Sequence, residues 1–123
     1  MTTIVATGTS GFLGQTLLRV AAMYPHLSVL SVLSSGRGGV DLASPSSAEW
    51  LRTNIHIKNP EDTVLIHAAA KVESNSLNGL LANAAMAFNV SKWANTVGIG
   101  FSVMVSSVSV YPPRQFADTD TPC

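Results

Sequence analysis

The sequence has little charge, little sulfur and few aromatic rings. Of 123 residues only 11% are charged, seven Lys+Arg against seven Asp+Glu, and only 7% are aromatic. An average soluble domain carries about 25% charge. Nucleic-acid binders cluster Lys and Arg against phosphates; here the seven cations are scattered singly, so no nucleic-acid partner is expected. Disorder needs high charge and low apolar content, the reverse of the 46% hydrophobic residues found. The chain is long enough for one core and too short for two. Its single cysteine, Cys123, excludes an internal disulfide and a cysteine-built metal site. A reducing cytoplasm is the expected compartment. Met1-Thr2-Thr3-Ile4-Val5 lacks the basic start of a secretion signal, and no apolar run approaches the roughly 20 residues that cross a bilayer. No membrane partner is expected.

Strand-length apolar runs alternate with segments of helical period, the pattern of an α/β domain with a parallel sheet. Ile4-Val5-Ala6 reads as a buried first strand. Phe12, Leu13, Leu17, Leu18, Ala21 and Ala22 recur at helical spacing, and Pro25 ends that helix. Ser28–Leu33 reads as a second strand, followed by a Ser/Gly loop from Ser35 to Gly39. Val40-Asp41-Leu42 could be the stub of a further strand. Ser46 or Ser47 could cap a short helix through Leu51. Thr63–His67 and Phe101–Ser106 are clear strands, and the segment from Asn75 to Thr96 is helical for most of its length. Right-handed crossovers make this order a Rossmann-type doubly wound sheet in a three-layer α/β/α arrangement.

The strongest local signal is Thr7-Gly8-Thr9-Ser10-Gly11-Phe12-Leu13-Gly14, a TGxxGxxG at the junction of the first strand and first helix. Gly8 permits the tight turn, Gly11 lets a pyrophosphate approach the backbone, and Gly14 lets helix and strand pack closely. The first-turn N–H groups then face the phosphates. An ordinary glycine turn is the alternative. In such folds a carboxylate about 20 residues on takes the ribose 2′-hydroxyl of NAD. The second strand instead leads into Ser34-Ser35-Gly36-Arg37, and hydroxyls with a guanidinium suit a 2′-phosphate. NADP is therefore expected in preference to NAD, unless Arg37 is only a solvated loop charge.

With these residues the chain resembles the extended short-chain dehydrogenase/reductases, the NAD(P)-dependent epimerase/dehydratases, from Ile4 onward. TGxxGxxG is the glycine pattern of that family. Asp41-Leu42 is similar to its Asp-hydrophobic pair, which implies an Asp41 carboxylate accepting from the adenine amino group. Val64-Leu65-Ile66-His67-Ala68-Ala69-Ala70 resembles its fourth-strand signature, implying that Ala68, Ala69 and Ala70 let the cofactor pass over the strand end and that Lys71 and Val72 line the nicotinamide side. Asn83 is similar to the asparagine that opens the next helix near the family's active site, and Ser107 follows it by 24 positions, the family's spacing. Val105-Ser106-Ser107-Val108-Ser109-Val110-Tyr111 looks like its SSxxVY segment.

The resemblance implies a catalytic role for Ser107, hydrogen-bonding the substrate's reacting oxygen beside a Tyr-x-x-x-Lys pair in which the lysine lowers the tyrosine's pKa. A phenol of pKa about 10 is otherwise a poor base at neutral pH. Hydride passes to or from the nicotinamide, leaving orientation and electrostatics to the protein. Here the pattern breaks. The two tyrosines, Tyr24 and Tyr111, have Ser28 and Gln115 four positions on. Tyr111 is expected to be structural, His67 a packing residue, and Trp50 and Trp93 core or interface residues. The expected organisation is a cofactor-binding domain over residues 1–111 and a tail over 112–123 leading to a missing catalytic and substrate-binding portion. The expected function is the NAD(P)-binding part of an epimerase, dehydratase or reductase acting on a nucleotide sugar or similar hydroxyl/carbonyl compound, without turnover by these residues alone. A non-catalytic dinucleotide sensor or scaffold, or a domain completed by a partner chain, are the alternatives. An uncovered edge and apolar face favour a homo-oligomer.

Overall fold

The computed structural model describes residues 2–34, 38–70 and 77–105. Strand β1 (Thr2–Thr7) leads to helix α1 (Phe12–Ala21), strand β2 (Leu27–Val32), helix α2 (Ser47–Asn54), strand β3 (Thr63–His67), helix α3 (Leu77–Val97) and strand β4 (Phe101–Met104). The four strands form one parallel sheet in the order β2-β1-β3-β4. From β1 the chain steps outward to β2, then returns across β1 to β3, so the strand order reverses beside β1. Right-handed crossovers in opposite directions place α1 on one face and α2 with α3 on the other. The doubly wound, Rossmann-type arrangement expected from the alternating runs is what the chain adopts.

The main core lies on the α2–α3 face. Val5, Val32 and Leu65 of the strands meet Leu51 of α2, Met86, Val90, Trp93 and Ala94 of α3, and Val40 and Leu42 of the loop before α2. Leu51, Leu42 and Trp93 are each 1% exposed; burying such a side chain stabilises by roughly 1.5–3 kcal/mol. The α1 face is covered less completely. In register, Phe101 and Val103 of β4 extend the row of Val64 and Ile66, yet Phe101 remains 64% exposed. Helix α3 likewise leaves Leu77, Leu80, Leu81 and Phe88 in solvent. No helix among the described residues is long and apolar enough to cross a membrane.

Several boundaries differ from those read in the sequence. Strand β2 runs from Leu27 to Val32, one residue earlier than expected, and the β4 ladder stops at Met104. Val40-Asp41-Leu42 is not a strand. The Val40 N–H donates to the Leu33 carbonyl (2.8 Å), and the Asp41 carboxylate accepts from the Ala43 N–H (3.1 Å). A local side-chain bond of this kind offers the backbone an alternative to a ladder, and it turns Leu42 into the core. Ser46 occupies the N-cap position of α2 without a side-chain cap bond. Ser47 sends its hydroxyl elsewhere, donating to the Leu42 carbonyl (3.1 Å). Helix α3 already starts at Leu77, so Asn83 stands inside the helix and does not open it. The proposed boundary near residue 111 lies outside the described residues.

Candidate functional site

The C-terminal ends of β1, β2 and β3 converge on the glycine loop, and the three glycines there have different physical reasons. Gly8 has φ +72°, and a Cβ on it would stand 2.6 Å from the Ala68 carbonyl carbon and the Ala69 nitrogen. A Cβ on Gly14 would lie 2.2 Å from the Gly8 oxygen. Both are required by the protein's own packing. Gly11 is required by neither backbone nor packing: its φ −81°, ψ 177° suits any residue, and a Cβ would meet only the Gly8 oxygen at an ordinary 3.5 Å. It is the N-cap of α1 and makes no side-chain cap bond. Glycine is itself a favoured N-cap, only a few tenths of a kcal/mol behind Ser, Thr, Asp or Asn.

Around Gly11 the loop is held by the protein and open outward. The Gly11 N–H donates to the Gly8 carbonyl (3.2 Å) and the Gln15 N–H to the Gly11 carbonyl (2.9 Å). Gln15 Nε2 donates to the Thr9 carbonyl (2.9 Å). Ser10 is exposed, Phe12 is 87% exposed and Leu13 47%. The first-turn N–H groups at Phe12 and Leu13 lack intrahelical acceptors by the geometry of a helix start. No acidic side chain sits in that turn to offset its partial positive charge.

A single hydroxyl ties the loop to the end of β3. Thr7 Oγ1 accepts the N–H of Ala68 (3.1 Å) and of Ala69 (3.2 Å) and lies 2.7 Å from His67 Nδ1. With both lone pairs engaged, the hydroxyl donates its own hydrogen to Nδ1. His67 is therefore neutral with its proton on Nε2, and burial pushes its pKa below the ordinary value. A ring 5% exposed with its Nδ1 lone pair occupied is a structural histidine, in line with the packing role read from its position. Ala68 and Ala69 are half-buried and Ala70 is exposed.

On the other side of β1, a cavity of about 70 Å³ is lined by Gly8, Thr9 and Ser10 of the loop and Val32, Leu33 and Ser34 at the end of β2. Ser34 is thus brought against the glycine loop. Asp41 is exposed; its Oδ1 caps the turn to Ala43, and Leu42 is buried in the core. Asn83 is half-buried in α3. Ser35, Arg37, Lys71 and Ser107, with Val72 and Tyr111, lie outside the described residues.

Two site-supporting side chains were not singled out by motif. Asn89 of α3, 7% exposed, donates through Nδ2 to the carbonyls of Leu42 (2.8 Å) and Ser44 (2.9 Å). Ser47 is fully buried and reaches the same Leu42 carbonyl. A single amide in the apolar run from Ala84 to Val90 was the available signal for Asn89.

No family model matches the chain, and no curated protein matches it. Solved structures do. A GDP-L-fucose synthetase from Naegleria fowleri superposes with a TM-score of 0.70 at 19% identity, covering 91% of this chain and 32% of that one. DdhaC gives 0.73 at 19% identity, covering 96% of this chain and 33% of its own. A hypothetical dTDP-4-dehydrorhamnose reductase from Sulfolobus tokodaii gives 0.67 at 22% identity, with 100% and 46% covered. The chain spans about a third to under half of these proteins. The likeness extends over nearly all of the chain, and what these 123 residues share with those proteins is the Rossmann-type α/β fold.

Proposed function

We propose that this chain is the NAD(P)-binding domain of an epimerase, dehydratase or reductase of the extended short-chain type, working on a nucleotide sugar or a related hydroxyl/carbonyl compound. Gly11 carries this reading. Neither the backbone nor the packing needs glycine there, and the space a side chain would fill is open, which suits a pyrophosphate against the N–H groups of Phe12 and Leu13. The chemistry matches: a helix start without acidic residues accepts an anion. Two of the superposing proteins are named for a GDP-sugar and a dTDP-sugar activity, which supports the substrate class.

Each residue then has a task. Gly8 and Gly14 set the turn and the helix approach, while Gly11, Ser10, Phe12 and Leu13 receive the diphosphate. Ser34, with Ser35 and Arg37, holds a 2′-phosphate and favours NADP over NAD. The Asp41 carboxylate accepts from the adenine amino group beside Leu42. Ala68, Ala69 and Ala70 keep the strand end low beneath the dinucleotide, with Lys71 and Asn83 on the nicotinamide side. Ser107 holds the substrate's reacting oxygen. When bound, the nicotinamide gives or takes the hydride. Residues 1–111 form the binding domain, and the cytoplasm is the compartment.

The 123 residues contain no Tyr-x-x-x-Lys, so they bind without turning over. The same observation favours a second reading, a dinucleotide-binding sensor or scaffold. Calorimetric titration with NADPH and NADH tests the site: binding with NADPH the tighter is expected, and no binding of either overturns it. Sugar-dependent NADPH oxidation by these residues alone would refute the assignment of turnover elsewhere.

A further inference from the structure

We infer that Asn89 is a positioning residue for the adenine end of the dinucleotide site, holding the Asp41–Ser44 turn in place from α3, 47 positions away. This rests on the cofactor-site reading above and adds a residue to it. A buried amide loses water and must find partners inside the protein. Asn89 spends its Nδ2 hydrogens on one short turn, at the Leu42 carbonyl (2.8 Å) and the Ser44 carbonyl (2.9 Å). Ser47 Oγ adds a second donor to Leu42 at 3.1 Å. Between those carbonyls, the Ala43 N–H fastens Asp41 Oδ1 at 3.1 Å.

The turn is therefore held from both helices of one face. Its carbonyls are drawn inward to α2 and α3, while Asp41 stays exposed. Asp41 Oδ1 is engaged within the turn, and Oδ2 has no partner among the described residues. Neither of these two Asn89 hydrogen bonds reaches the glycine loop. It acts through backbone alone: removing it takes one of two donors from each carbonyl, Leu42 keeping Ser47 Oγ (3.1 Å) and Ser44 keeping the Ser47 N–H (3.0 Å), and loosens the turn and the Asp41 carboxylate with it. The loss should fall on the adenine end and spare the nicotinamide end.

The test is an NMR titration of the full chain with AMP and, separately, with nicotinamide mononucleotide. Asn89→Leu should weaken AMP about tenfold or more, as expected for two lost hydrogen bonds that orient a charged group. Ser47→Ala, which removes one of the two donors to Leu42 and preserves the fold, should weaken AMP by a smaller factor. Both should leave the mononucleotide within about twofold. Equal losses for the two ligands, or no loss of AMP, overturn the inference; should Asn89→Leu fail to fold, Ser47→Ala decides by the same comparison. Failure of the unsubstituted chain to bind AMP at all would instead overturn the site, and the inference with it.

Discussion

Alanine at Gly14 and alanine at Gly11 should separate folding from binding within one loop. At Gly14 the added Cβ would sit 2.2 Å from the Gly8 oxygen and 2.4 Å from the Thr9 Cα. Both are backbone atoms that no rotamer change can move, so α1 must retreat by about 1 Å. Overpacking of this severity costs about 3 kcal/mol, offset by up to about 1 kcal/mol from replacing a helical glycine. A net loss of about 2 kcal/mol is a large part of the stability of a small domain. At Gly11 the backbone is already extended and the Cβ has an ordinary contact; alanine is the poorer N-cap but restricts the unfolded chain, so stability should fall by no more than about 1 kcal/mol. Binding should suffer there instead. Pushing the diphosphate off the helix start removes at least one charge-assisted hydrogen bond of about 1.5–3 kcal/mol, a loss of roughly 10- to 100-fold in affinity. Urea denaturation followed by tryptophan fluorescence gives the first quantity and calorimetry with NADPH the second. Equal destabilisation by both substitutions, or unchanged affinity in Gly11→Ala, would refute the assignment of Gly11 to a ligand.

Thr7→Val keeps the shape but strips the acceptor from the Ala69 N–H and the donor from His67, while the Ala68 N–H keeps the Thr7 carbonyl (3.3 Å); a loss of about 1–3 kcal/mol is expected in denaturant, and a change below about 0.5 kcal/mol would contradict the role of that hydroxyl. Because His67 has a folded-state pKa below its ordinary 6.5, the unfolded chain takes up the proton first as pH falls. Stability should be fully present above about pH 6.5 and decline below it by at most about 1.4 kcal/mol per pH unit, with His67→Gln flattening the stretch from about pH 6.5 to 5; an unchanged slope in that variant would show the proton binds elsewhere. Phe101→Lys, at a residue 64% exposed on the uncovered row, should reduce self-association in sedimentation velocity without lowering the melting temperature. Identical sedimentation of both proteins would mean that row carries no contact between copies.

Much of the framework was legible because its signals are local. Strands β1 and β3 announce themselves as β-branched runs, and the TGxxGxxG stands where a strand must turn into a helix. The different reasons for the three glycines were not legible, since Gly8 answers to Ala68 and Ala69, more than 50 residues on. The supposed strand at Val40–Leu42 failed for a local reason that periodicity does not see: Asp41 turns on its own side chain. The helical pattern from Asn75 already ran past Asn83, and only the family resemblance made that residue a helix start; α3 begins at Leu77. Asn89 escaped notice, and Ser47 was read only as a cap, because their partners are backbone carbonyls, which carry no sequence identity.

The bond from Val40 to Leu33 closes a short loop directly after β2. Ser34 lies just inside this closure and Asp41 just outside it. On the proposed site, the determinants of the 2′-position and of the adenine edge thus share one mechanical support. Lengthening or shortening the loop would disturb both recognitions together, so a change of cofactor preference would have to come from exchanging side chains on a loop of fixed size.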